Sequence, residues 1–245
     1  MFETPRKRRR LHFEELLNQS WEERLPYGVL ESEQLNSEQV RLLVDTAAWL
    51  ATEKEWEATQ GFAINAEMVA TIAVQASWLV LGLPDDALND INNVIVSATT
   101  MTLTGEHMID EGVASREPQY VLGHTGEGGD IYLAWDEIED GLKHPRGSVV
   151  FHEFAHRLDD LDGVSNGTPP MQSNEQLERW VSVCTPVYKS IVAGRGPSCI
   201  DEYAATNPAE FFAVVSEVFF CEGPALNNEV PKLYDALSDY YRRRP

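Results

Sequence analysis

Residues 147–160 read Gly147-Ser-Val-Val-Phe-His-Glu-Phe-Ala-His-Arg-Leu-Asp-Asp160, an apolar segment interrupted by two histidines and a glutamate. Val149, Val150, Phe151, Phe154 and Ala155 make Ser148 to Asp159 a buried helix by pattern. His152 and His156 are four residues apart, on one helix face, so two imidazoles can converge on a single Zn²⁺. Glu153, beside the first histidine, is then placed to act on water at the metal rather than to ligate it. With six histidines in the chain, chance produces this pattern on the order of once in a hundred such sequences. The bland alternative is a helix whose histidines meet water or a backbone carbonyl. Burying three polar side chains on an apolar helix without a use is costly, which favours the metal.

Two ligands hold a catalytic zinc poorly, and two residues compete to be the third. Asp162 lies six residues after His156, a spacing used by one large group of zinc proteases. That group turns the chain with a glycine three residues after the second histidine. Here that position is Asp159, and the first glycine is Gly163. The rival is Glu210, in Tyr203-Ala-Ala-Thr-Asn-Pro-Ala-Glu-Phe-Phe-Ala-Val-Val-Ser-Glu217. Asn207 caps this later helix and Pro208 takes its first position, which puts Glu210 in the first turn, where it could equally complete a capping box. Spacing alone leaves the two candidates even.

Outward from these segments, a helix over 12–25 carries Leu16, Leu17 and Trp21 on one side, and a longer one follows Ser37. Asn65 caps a third, running towards Gly82. Val94-Ile95-Val96 and Ile131 to Trp135 are short strand patterns, the second following a loop over 124–129. Residues 130–135 could form an edge strand along which an extended peptide binds. Helical patterns return at Asn174–Ala193, Pro208–Cys221 and Val230–Tyr241. With no internal repeat and no linker, the 245 residues read as one helix-rich α+β domain with a small central sheet.

Composition narrows the function. A hydrophobic content of 43% is ordinary for a globular chain, and three cysteines are too few for a disulfide framework. Ala66 to Leu83, the longest apolar run, is broken by Glu67, Gln75 and Gly82, so no membrane span is expected. No secretory segment follows the basic N-terminus, and the expected location is a reducing cytoplasm. The charge is the unusual quantity: 40 acidic against 19 basic residues give −21. Arg6 to Arg10 and Arg242 to Arg244 gather the basic charge at the two ends, leaving −28 over residues 11–241. Such a body repels nucleic acid, and the basic ends read as solvated tails, 1–10 and 242–245, the first of them disordered.

HEFAHRLD at 152–159, followed by YAATNPAEFFAVVSEVFF at 203–220, resembles the Mlc titration factor A family of zinc metallopeptidases. KEWEATQGFAINAEMVATIAVQASWLVLGL at 54–83 and DIYLAWDEI at 130–138 extend the likeness over most of residues 12–241. The resemblance implies Zn²⁺ ligands His152, His156 and Glu210, with Glu153 as catalytic base and Tyr203 as a transition-state stabiliser. It also implies a zincin-like core similar to the anthrax lethal factor protease domain. On that basis residues 11–241 form one peptidase domain, with a helical segment over 11–83 and a catalytic core over 84–241. The family is cytosolic and shows aminopeptidase-type activity, and one member binds a glucose-responsive repressor. Peptide substrates and a transcriptional repressor are therefore the implied partners. A regulatory protein that sequesters a partner around a structural zinc is the competing class, and an intact Glu153 argues against it. Asp159 could orient a ligand histidine, cap the helix or pair with Arg157, while His107, His124 and His144 lack ligand spacing.

The third-ligand choice is directly testable. Glu210→Gln should weaken Zn²⁺ affinity strongly, because an amide oxygen replaces an anionic ligand, whereas Asp162→Asn should leave metal content nearly unchanged. Metal loss confined to the Asp162 variant, read by elemental analysis, would reverse the assignment.

Overall fold

Thr4 and Pro5 start the first helix: the Thr4 hydroxyl accepts from the Lys7 amide, and the proline sits where a missing N–H costs nothing. The computed structural model describes residues 4–59, 61–103, 107–110, 113–115, 119–121, 123–126, 129–144 and 147–245, with side chains described outside 31–32 and 101–126. In chain order the elements are α1 (Pro5–Ser20), a 3-10 turn (Glu22–Arg24), α2 (Val29–Ser32), α3 (Ser37–Glu53), β1 (Glu55–Ala58), α4 (Ala66–Val80) and β2 (Asn93–Ser97). Four short strands follow, β3 (Met101–Leu103), β4 (His107–Asp110), β5 (Val113–Ser115) and β6 (Gln119–Val121). Then come β7 (Gly123–Gly126), β8 (Asp130–Ala134), α5 (Trp135–Lys143), α6 (Val149–Asp159), α7 (Asn174–Val192), α8 (Pro208–Cys221), α9 (Gly223–Glu229) and α10 (Pro231–Tyr241).

Side-chain caps set most helix starts: Asn36 completes a capping box on α3, and Asn65, Ser148, Ser173 and Asn207 each accept a first-turn amide. Helix α4 is buried on every side from Val69 to Val80, as its nearly uninterrupted apolar sequence requires, and packs against α3 and α6. The sheet runs β1-β2-β8-β7, with β1, β2 and β8 parallel and β7 antiparallel to β8. Val94 and Val96 stand opposite Ile131 and Leu133, so the buried faces of the two central strands are in register. The result is a single helix-rich α+β domain with a small sheet, zincin-like in arrangement.

Several expectations are corrected. Residues 5–10 are the first turns of α1 rather than a disordered tail, because the Thr4–Pro5 start is a good one and acidic neighbours pair with two of the arginines. Arg6 pairs with Glu53, and Arg10 with Glu14 at 2.8 Å. Strand β8 is not an edge, since β2 and β7 flank it, and Trp135 opens α5 instead of ending the strand. Part of the expected loop, 124–126, falls in β7 (Gly123–Gly126), whose glycine-rich sequence has little strand propensity and is held by pairing to β8. Strand β1 carries no β-branched residue, and nothing local announced it.

The C-terminal end is not a solvated tail either. Arg243 is 5% exposed, its Nη2 lies 2.6 Å from Glu33 Oε2, and its guanidinium stacks 4.5 Å from the Trp78 ring centroid. Tyr234 donates its hydroxyl to the Pro245 carbonyl at 2.5 Å. At the end of α6, Asp159 is wholly buried and accepts the Gly167 amide at 2.7 Å, while the Gly167 carbonyl accepts from Trp180 Nε1 at 3.1 Å. Gly167 has φ +73°, and a Cβ there would stand 2.1 Å from the Pro208 carbonyl, so only glycine lets this loop lie against the start of α8. Burial pushes the Asp159 carboxyl up to about 6 from 3.8, against the amides of Gly167 and Thr168 and the nearby His156, which lower it.

Arg243→Ala removes the cation over Trp78 and strands the Glu33 carboxylate. A loss of about 3 kcal/mol is expected, seen as a fall in Tm of roughly 6–12 °C. Asp159 gives a pH signature of known sign. Its folded-state pKa is raised, so the unfolded chain releases the proton first and stability is lost as pH rises. Relative to Asp159→Asn, the wild type should lose about 3 kcal/mol between pH ~4 and ~6 and keep that deficit above. Denaturant melts of both proteins in the presence of chelator read this directly, and parallel pH curves would refute it.

Candidate metal centre

The site grows from two helix starts. Ser148 accepts the Phe151 amide at 3.1 Å and opens α6, whose Val150, Phe151, Phe154, Ala155 and Leu158 are fully buried. With those faces committed to the core, His152 and His156 take the remaining face, their side chains 14% and 16% exposed. Asn207 accepts the Glu210 amide at 2.9 Å and opens α8. The Glu210 carboxylate does not turn back to complete a capping box; it reaches across to the two imidazoles. His152 Nε2 and Glu210 Oε2 are 3.0 Å apart, His152 Nε2 and His156 Nε2 3.2 Å, and His156 Nε2 and Glu210 Oε2 3.3 Å.

These three atoms fit a metal. Tetrahedral N and O ligands about 2.0–2.1 Å from zinc stand about 3.3 Å from one another. Two imidazole nitrogens facing each other need one proton to make a hydrogen bond, whereas a single cation satisfies both together with the carboxylate. His152, His156 and Glu210 are the metal-competent group among the described residues. Asp162 is exposed and its Oδ1 accepts the Val164 amide at 3.1 Å, away from this group.

Glu153 is 3% exposed, next to His152 on α6. Tyr203 lies half-exposed on a 3-10 turn (Glu202–Ala205) capped by Asp201, with its ring centroid 6.2 Å from that of His152. Partial burial, and then the charges of Glu210 and Glu153, push the phenol up to about 12, further above neutral pH than its ordinary 10. Among the protein groups alone, burial opposes charge on His152, but bonds to Glu210 and Glu217 outweigh it and raise its pKa to about 10. Burial likewise opposes the Glu210 anion, and the two imidazoles hold that carboxyl well below its usual range. Each shift says that positive charge is favoured where the imidazoles meet.

Asp159 spends its hydrogen bond on Gly167 rather than on a ligand histidine, and Arg157 pairs with Asp90 and Asp160 instead of Asp159. His144 pairs with Asp140 on the surface, and the side chains of His107 and His124 lie outside the described ones. The residue that sequence reasoning passed over is Glu217, whose Oε2 lies 3.4 Å from His152 Nδ1. Its seven-residue offset from Glu210, two helical turns along the same face, was the available signal.

Comparison with known proteins agrees with this geometry. The family described as glucose-regulated metallo-peptidase M90 matches residues 2–242. The chain is 30% identical to Mlc titration factor A of Serratia proteamaculans over 85% of this chain and 81% of that protein. It is 30% identical to Mlc titration factor A of Yersinia enterocolitica, over 92% and 85%. An uncharacterized protein of Synechocystis sp. is 31% identical over 91% and 82%. With the family match running over residues 2–242 and a His-His-Glu group that could hold a metal ion, the chain belongs to the glucose-regulated M90 family of metallopeptidases.

Proposed function

We propose that this chain is a zinc-dependent peptidase of aminopeptidase type. The observation that carries the proposal is the convergence of His152, His156 and Glu210 beside a buried Glu153. Two imidazoles and one carboxylate suit Zn²⁺, and three protein ligands leave a position open for water or substrate. A bound Zn²⁺ supplies Lewis acidity, bringing the pKa of water towards neutrality and polarising the scissile carbonyl. Glu153 accepts the proton of the attacking water and passes it to the leaving amine. Tyr203, a protonated phenol at neutral pH, donates its hydroxyl hydrogen to the developing oxyanion. The acidic character of the chain, −21 overall, favours a cationic peptide amino terminus as the group to be bound.

A second role, binding a transcriptional repressor, is supported by the name that relatives in Serratia and Yersinia carry, Mlc titration factor A. A cytoplasmic setting suits three cysteines that are all free thiols, and no described helix is long and apolar enough to cross a membrane.

A peptide-library cleavage assay with parallel metal analysis tests the enzyme. Glu153→Gln should keep metal and fold while losing about 10²–10⁴-fold in turnover, and Tyr203→Phe should lose about 10²-fold in kcat. Undiminished cleavage by Glu153→Gln would remove the general-base role. A wild type that binds Zn²⁺ but cleaves nothing would leave partner sequestration as the function.

A further inference from the structure

Helix α8 brings a second carboxylate to the site. The Glu217 Oε1 accepts the backbone amide of Ser148 at 2.8 Å, and Oε2 faces His152 Nδ1 at 3.4 Å. The opposite nitrogen of the same ring, Nε2, is the one facing Glu210 and His156. An imidazole that offers its Nε2 lone pair carries its proton on Nδ1, so this contact runs from Nδ1–H to the carboxylate. The chain is also shaped around Glu217. Gly147 has φ +87°, and a Cβ built there would stand 1.8 Å from Glu217 Oε1 and 2.7 Å from Cδ. Glycine at 147 therefore does two things: it adopts the left-handed turn into α6 and leaves the space the carboxylate fills.

We propose that Glu217 is a positioning residue of the metal centre, clamping the start of α6 and fixing the orientation and tautomer of the His152 ring, with Gly147 holding the space for it. The proposal rests on the metal centre of His152, His156 and Glu210. Glu217 touches no reacting atom; it acts through His152. A glutamine cannot replace it, because its single acceptor oxygen cannot serve both the Ser148 amide and Nδ1–H, and its NH₂ would face one of those donors.

The test measures the Zn²⁺ affinity of the full chain by chelator competition and the visible spectrum of the Co²⁺-loaded protein. Wild type is compared with Glu217→Gln, Gly147→Ala and Asn36→Ala. Glu217→Gln and Gly147→Ala should each bind Zn²⁺ roughly 10–100-fold more weakly and shift the Co²⁺ spectrum. Asn36→Ala, which removes the α3 capping box, should lower Tm and change neither. Wild-type affinity in Glu217→Gln overturns the proposal, and should that variant fail to fold, wild-type affinity in Gly147→Ala overturns it instead. If wild type binds no Zn²⁺, the metal centre itself is wrong, a result distinct from a normal wild type with unaffected variants.

Discussion

Helices α6 and α8 meet through aromatic side chains, Phe151 and Phe220 lying with ring centroids 5.5 Å apart, and at the rim of that contact they bring acidic and imidazole groups together. Carboxylates crowded in a partly buried place repel one another and resist ionisation unless positive charge joins them. Glu153, Glu210 and Glu217 surround His152 closely enough to raise its pKa to about 10 even though burial works the other way. This demand for positive charge ties the rest of the site together. It explains why Glu210 leaves its own helix cap and why Glu217 turns towards the ring. A divalent cation answers the same demand with more charge than a proton brings.

The packing that holds these groups apart and together is ordinary hydrophobic burial. Helix α4 is enclosed on all sides, α6 rests on it, and α8 closes over α6 with Phe211, Phe212, Phe219 and Phe220 buried. Fixed dense packing of this kind resists small displacements, which keeps the metal-competent atoms on different helices within a few ångströms. At the end of α6, Asp159 and Gly167 bind the following loop to the beginning of α8, so the end of one helix and the start of the other share one structural anchor.

The charge asymmetry has an internal use as well. The acidic body needs cations, and the arginines at both ends of the chain supply some of them: Arg6 meets Glu53, Arg10 meets Glu14, and Arg243 is buried against Glu33 and Trp78. A basic cluster in sequence reads as a solvated tail because composition says nothing of where the opposite charges will stand. In the fold those charges stand beside it.

Local chemistry was enough to determine most of the longer helices and the two metal-competent histidines, His152 and His156. Asn36, Asn65, Ser148, Ser173 and Asn207 announce helix starts because a capping side chain acts on amides two or three residues away. His152 and His156 share a face because 3.6 residues make a turn. Tertiary structure alone decided what depends on distant partners. Strand β1 exists because β2 lies beside it, and β8 is interior because β7 folds back onto it. Glu210 joins the two histidines because α8 packs across α6, bringing positions 58 residues apart in sequence to 3.0 Å. Glu217 reaches His152, and Arg243 reaches Glu33, for the same reason. Hydrogen-bond and helix rules act along a few residues of chain, while ligand sets, edge strands and buried ion pairs are settled only when separate elements pack.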